Sequence, residues 1–179
     1  MIIGYLVIAF AVSAIVLFVW KTIGRVRAGT GEGDLSQQVK NVDLEAFINL
    51  TNPAEEQFLR ERLKPAEFRT IQRERLRTAI EYVGGVSHNA AVLLSLGQSA
   101  RQNLDPLVAE AGRKLVDEAV RLRLYSALTI SKLWARYVFP DAEFQPSGIV
   151  DRYRHVTDGA VRLGRLESPE RGGLLSRAL

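Results

Sequence analysis

The chain of 179 residues contains no cysteine and only two histidines. Without cysteine there can be no disulfide, no thiolate nucleophile and no cysteine-ligated zinc or iron–sulfur centre. The two histidines, His88 and His155, form neither a Glu-x-x-His nor a His-x-x-x-His pair, so no metal signature is present. No serine stands in a nucleophile-elbow sequence. Also missing are the alternating apolar and polar residues of a half-buried strand and any internal repeat. The sequence therefore offers no catalytic, cofactor-binding or metal-ligating residue, and it predicts an all-α, non-enzymatic protein.

Charge is missing where its absence says most. The nineteen residues from Ile2 to Trp20 carry none, and Ile, Val, Leu, Phe and Ala dominate them. As a helix at about 1.5 Å per residue they would reach roughly 28 Å, close to the thickness of a bilayer's hydrocarbon core. Tyr5 and Trp20 stand near the two ends, where amphipathic rings settle among headgroups. Lys21, Arg25 and Arg27 follow at once, which predicts the N-terminus outside and the C-terminal body in the cytoplasm of a single-pass cell-membrane protein. No Lys or Arg precedes the run and no small-x-small site follows it before the basic residues, which argues against a cleaved signal. Residues 1–21 are thus expected to be a transmembrane anchor with the lipid bilayer as its first partner. Within it, Ala9 and Ser13 make a small-xxx-small pair of the kind common on lipid-facing positions.

The chain holds 24 Lys and Arg against 20 Asp and Glu, a formal net charge of +4. Three of those bases are the juxtamembrane group, which leaves 21 against 20 from Glu32 onward. The excess charge reports membrane topology rather than a nucleic-acid surface.

Residues 22–41 read as a juxtamembrane basic segment and a glycine-rich linker. From Ala28 to Asp34, three glycines alternate with polar residues, as in a flexible tether. A phosphate-binding loop would need a preceding strand, and here an apolar helix precedes. A helical bundle is expected over 42–166. A short helix covers Leu44 to Leu50. Asn52-Pro53 caps and opens a second that ends near Leu63, and Lys64-Pro65 opens a third. The third helix should run to about Gln102, with Phe68, Ile71, Leu76, Ala79, Val83, Val86, Ala90, Leu93, Gly97 and Ala100 on its buried stripe and a slip in the rhythm near Arg75. Asp105-Pro106 starts a fourth, to about Val138, with Val108, Ala111, Leu115, Ala119, Leu122, Ser126, Ile130, Leu133 and Tyr137 inward. Glu110 with Lys114, and Asp117 with Arg121, stand in the favourable acid-first i,i+4 order on its wet side. The short turn between the two long helices makes them a long antiparallel hairpin. After a loop from Pro140 to Ser147, a last helix spans about Gly148 to Leu166, and 167–179 read as a frayed tail.

Tyr82 to Ala100 contains no charged residue, yet His88, Asn89 and Gln98 make it a buried bundle helix rather than a second span. Gly84, Gly85, Ala90, Ala91 and Gly97 would let a neighbour approach closely, and the glycine pair is a place where the helix could kink. His88 reads as a hydrogen-bonded, partly buried histidine, with a ligand or catalytic role as the sharper alternative. His155 has Asp151 and Asp158 on its own helical face, within a charged, solvated surface. Arg69, Arg73 and Arg77 stack at i,i+4 and repel one another unless Glu74, Glu81 or acids on the second helix neutralise them. Left bare, they would suit an acidic partner or anionic lipid. Trp134 and Tyr137, near Lys132 and Arg136, more often pack under a loop than stack on bases. Asn49-Leu50-Thr51 matches a glycosylation acceptor but reads as helix-end sequence in a cytoplasmic body.

Together these features predict a membrane-anchored interaction or scaffold module that uses a helical face to bind a partner protein or itself. One alternative is a small-ligand-binding or enzymatic bundle with a site near His88. A second alternative is a basic membrane-surface or nucleic-acid binder acting through Arg69, Arg73 and Arg77.

Overall fold

The computed structural model describes residues 38–138 and 148–179. The anchor with Tyr5, Trp20, Lys21, Arg25 and Arg27, the glycine-rich linker up to residue 37, and the Pro140–Ser147 loop lie outside the described residues. Six helices are formed among the described residues: α1 (Leu44–Leu50), α2 (Pro53–Arg62), α3 (Pro65–Ala100), α4 (Pro106–Val138), α5 (Ile149–Glu167) and α6 (Pro169–Ala178). No helix among the described residues is long and apolar enough to cross a membrane.

Local chemistry sets the boundaries. Asp43 accepts from the Ala46 amide at 2.9 Å to start α1, and Asn52 accepts from Ala54 at 2.9 Å to start α2. Each side chain satisfies one of the amides that a helix start leaves unpaired. Prolines at the openings of α2 and α3 lose no intrahelical bond. Between the long helices, Asn103 accepts from Asp105 at 3.0 Å and Asp105 accepts from Leu107 at 2.8 Å, a chain of side-chain caps that reverses direction in a few residues. The chain enters α5 through Gly148, whose φ of 87° is the left-handed conformation that a side chain would resist.

The 36-residue α3 and the 33-residue α4 pack antiparallel over the most extensive interface of the fold. Helix α5 lies mainly on α4 and touches α3, while α6 folds back on α5. Leu76, Val83 and Leu93 of α3 meet Leu115, Leu122 and Leu133 of α4 and Tyr153, Val156 and Leu163 of α5 in one apolar core. Burying each leucine of this set stabilises the fold by about 1.5–3 kcal/mol relative to leaving it in water. At the closed end of the hairpin the two backbones touch. A Cβ on Gly97 would fall 3.0 Å from the Gly112 carbonyl oxygen, and one on Gly112 would fall 2.7 Å from the Arg101 nitrogen.

Several expectations change. Ile71 is 39% exposed, because the four-residue step from Phe68 to Leu76 passes through Gln72, which is buried in its place. Helix α3 runs through Gly84-Gly85 without a break. Of the pair, only Gly85 admits a neighbour, and that neighbour is Val42 of the incoming chain rather than a helix. Asp117 and Arg121 do not close an ion pair, whereas Glu110 and Lys114 do at 2.9 Å. The tail expected to fray after Leu166 is instead the end of α5 followed by α6. Ser168 accepts from the Arg171 amide at 3.2 Å, Pro169 opens the helix, and Leu175 is 2% exposed against α5. The serine–proline start follows the same logic as the Asn52-Pro53 start, and burial of one leucine holds the short helix down.

Candidate functional site

The segment that leads into the bundle is held by three residues of α3, His88, Asn89 and Gly85. His88 Nε2 lies 2.9 Å from the Gln38 carbonyl oxygen, to which it donates. Asn89 is fully buried; its Oδ1 accepts from the Lys40 amide at 2.8 Å, and its Nδ2 donates to the Lys40 carbonyl at 2.8 Å. The same amide nitrogen donates to the Tyr153 hydroxyl at 2.7 Å, linking α3 to α5. Burial pushes the Tyr153 phenol above its ordinary pKa, partly offset by the Asn89 bond. Val42 then settles on Gly85, and the apolar crevice it shares with Phe47, Tyr82 and Ile149 holds about 10 Å³, less than a ligand needs. His88 is hydrogen-bonded as expected but exposed rather than partly buried, and the adjacent Asn89 is the buried polar residue.

The arginine ridge is present, with its counter-charges elsewhere. Arg69, Arg73 and Arg77 are all exposed. Arg77 meets Glu81 at 3.7 Å, with both side chains about 70% exposed, a geometry that water screens heavily. The acids of α2 do not reach the ridge. Glu55 pairs with Arg75 at 2.9 Å, and Glu56 binds Arg136 of α4 and lies 3.4 Å from Arg60. Arg75 also donates to the Asn49 and Leu50 carbonyls at 3.2 and 3.1 Å, closing the C-terminus of α1. This explains the slip in the rhythm near Arg75: the residue belongs to the rim, where it ties α1 and α2 to α3. Arg73 lies 5.9 Å from the Tyr137 ring centroid, and that ring stands edge-on to Trp134 at 5.4 Å.

Helix α4 carries a second apolar surface beyond the one it buries. Val120, Leu124 and Leu128 follow one another at four-residue steps and are 41–53% exposed. Trp134 at 51% and Val138 at 61% continue this face toward the end of the helix. Arg113, Arg121 and Arg123 flank it, with Asp117 as the acid among them. Arg123 is half-buried and makes no ion pair among the described residues, and burial lowers its pKa below the ordinary arginine value. The sequence pattern held the signal for this face, since Val120, Leu124 and Leu128 repeat at helical spacing outside the inward stripe.

At the other end of α4, an open cleft of about 290 Å³ lies against α5 between Leu107, Leu115 and Leu166. Glu110 on its rim is held below the ordinary carboxylate pKa by its hydrogen bond to Lys114 and that residue's charge. His155 reaches Glu118 of α4 at 3.1 Å rather than an acid of its own helix. No group of three or more His, Asp or Glu side chains among the described residues is placed to hold a metal ion. Comparison with protein-family models, curated proteins and solved structures finds no match for this chain.

Proposed function

We propose that this chain is a membrane-anchored helical interaction module, whose α4 face docks a helix of a partner protein. The observation that carries the reading is the exposed apolar row of Val120, Leu124, Leu128, Trp134 and Val138. Apolar side chains at that spacing form a stripe into which the ridges of another helix can pack. Large exposed apolar patches on a folded surface mark sites of association. The flanking Arg113, Arg121 and Arg123 favour a partner with acidic residues beside its apolar stripe, and they set like charges against each other in a pairing of two copies. The uncharged run from Ile2 to Trp20 would hold this surface beneath a membrane, and scaffolding there requires no chemistry of its own.

A photoreactive amino acid placed at Leu124 of the full chain tests the proposal in native membranes. A discrete adduct at a mass other than twice the chain is expected, and it should disappear when Leu128→Asp is added. An adduct at twice the chain mass would replace the partner by a second copy, and no adduct would end the proposal. Leu128 is 53% exposed, so Leu128→Asp should leave the melting temperature unchanged within the range of ordinary surface substitutions.

A further inference from the structure

Arg69, Arg73 and Arg77 present three cations on one face of α3, and among the described residues only Arg77 has an acid within ion-pair distance, at 3.7 Å. A row of like charges four residues apart destabilises its own helix slightly. Of the acids of α2, Glu55 and Glu56 are committed to Arg75 and Arg136, and Glu61 accepts from Gln57 at 3.0 Å. The ridge therefore carries uncompensated positive charge toward solvent.

Where the chain enters the bundle says what that charge faces. Gln38 and Lys40 are fastened to His88 and Asn89. His88 stands three helical turns beyond Arg77 on the same side of α3, since eleven residues at 100° each return to within about 20° of the starting direction. The polypeptide from residues 1–37 thus reaches the body beside the ridge. Seventeen residues separate Trp20 from Gln38, and a glycine-rich chain of that length would span on the order of 20–25 Å. The distance along α3 from His88 to Arg69 is about 28 Å. A membrane holding Ile2–Trp20 would therefore lie within reach of all three arginines.

We infer that the face of α3 bearing Arg69, Arg73 and Arg77 docks on the anionic lipid headgroups of the same membrane in which the chain is anchored, an inference that rests on the anchor reading. Lys21, Arg25 and Arg27 place the body on the side where anionic lipid is concentrated. Each arginine near such a surface is worth about a fivefold gain in partitioning, so the three together give about a hundredfold. Docking turns the body onto its α3 side and leaves the apolar row of α4 to its protein partner. Arg73 on Tyr137, with Trp134 beside it, marks the border between the two surfaces.

The chain's lack of cysteine makes the test direct. Thr70→Cys, beside the ridge, and Ser176→Cys, on α6, both replace exposed residues and can each carry a single environment-sensitive fluorophore. Full-length protein is reconstituted into phosphatidylcholine vesicles, with or without phosphatidylglycerol, that contain headgroup-nitroxide quencher lipid. The probe at residue 70 should be quenched severalfold more than the probe at 176 in the anionic vesicles, and equally in the neutral ones. High salt, or Arg69→Gln with Arg73→Gln and Arg77→Gln, should abolish the difference. Equal quenching of the two probes in anionic vesicles would overturn the inference, and it is the result expected if the ridge serves an acidic protein instead. Extraction with alkaline carbonate reads the anchor separately. A chain stripped from both vesicle types refutes the anchor, whereas a retained chain without the difference in quenching refutes the docking alone.

Discussion

Replacing Asn89 by alanine should loosen the bundle and release the chain that enters it. The native side chain makes three hydrogen bonds of 2.7–2.8 Å, two to the Lys40 backbone and one to the Tyr153 hydroxyl. Lys40 is exposed, so its amide and carbonyl can recover water when Asn89 is removed. Tyr153 is 2% exposed, and its hydroxyl cannot. Stranding that hydroxyl costs about 1–3 kcal/mol, and the small void left by the amide adds to it, for a total of about 2–4 kcal/mol. A domain of this size is stable by about 5–15 kcal/mol in all, so the loss is substantial. At roughly 3 °C per kcal/mol the melting temperature, followed by circular dichroism on the full chain in detergent, should fall by about 6–12 °C. Tyr153→Phe alone should cost about 1 kcal/mol, and Asn89→Ala should cost about 1–2 kcal/mol less in that background than in the wild type. Trypsin provides a second readout. The Lys40 carbonyl is the group the protease must attack, and Asn89 holds it, so cleavage after Lys40 should accelerate in Asn89→Ala relative to other sites. Full additivity of the two substitutions, or equal cleavage after Lys40 in both proteins, would refute the reasoning.

Three further outcomes follow from geometry and burial. Gly112→Ala would place a methyl group 2.7 Å from the Arg101 nitrogen and 2.9 Å from the Ala100 carbonyl carbon, both backbone, and should destabilise by about 1–3 kcal/mol; Gly84→Ala meets nothing within 4 Å and should gain about 0.5–1 kcal/mol of helix propensity, both measured by urea denaturation. Because the Tyr153 pKa is raised in the folded state, its contribution is complete below the unfolded tyrosine value near 10 and is lost as pH climbs through the higher folded value; the alkaline fall in stability, followed by denaturation at a series of pH values, should be shallower in Tyr153→Phe.

The all-helical character, the boundaries of α1 to α5 to within two residues and the hairpin could be read from residue order alone, because their causes are local. Asp43, Asn52 and Asp105 cap helices with bonds that span two or three residues. Prolines mark the openings, and the buried stripes repeat at the period of the helix itself. The start of α6 was equally local in its chemistry, but ten residues with one serine cap do not make a helix until Leu175 finds α5 to cover it. The candidate surfaces depended on more. Glu56 and Arg136 are 80 residues apart, and they meet only once the fold brings their side chains together. That pairing takes from Arg69, Arg73 and Arg77 the counter-charge that composition alone would have granted them. His88 and Asn89 are adjacent polar residues with nothing local to separate them. The rotation of α3 against α5 turned one to water and buried the other beside Tyr153. Residue order carries what a few neighbouring residues can enforce, whereas the choice among distant partners waits for the helices to pack.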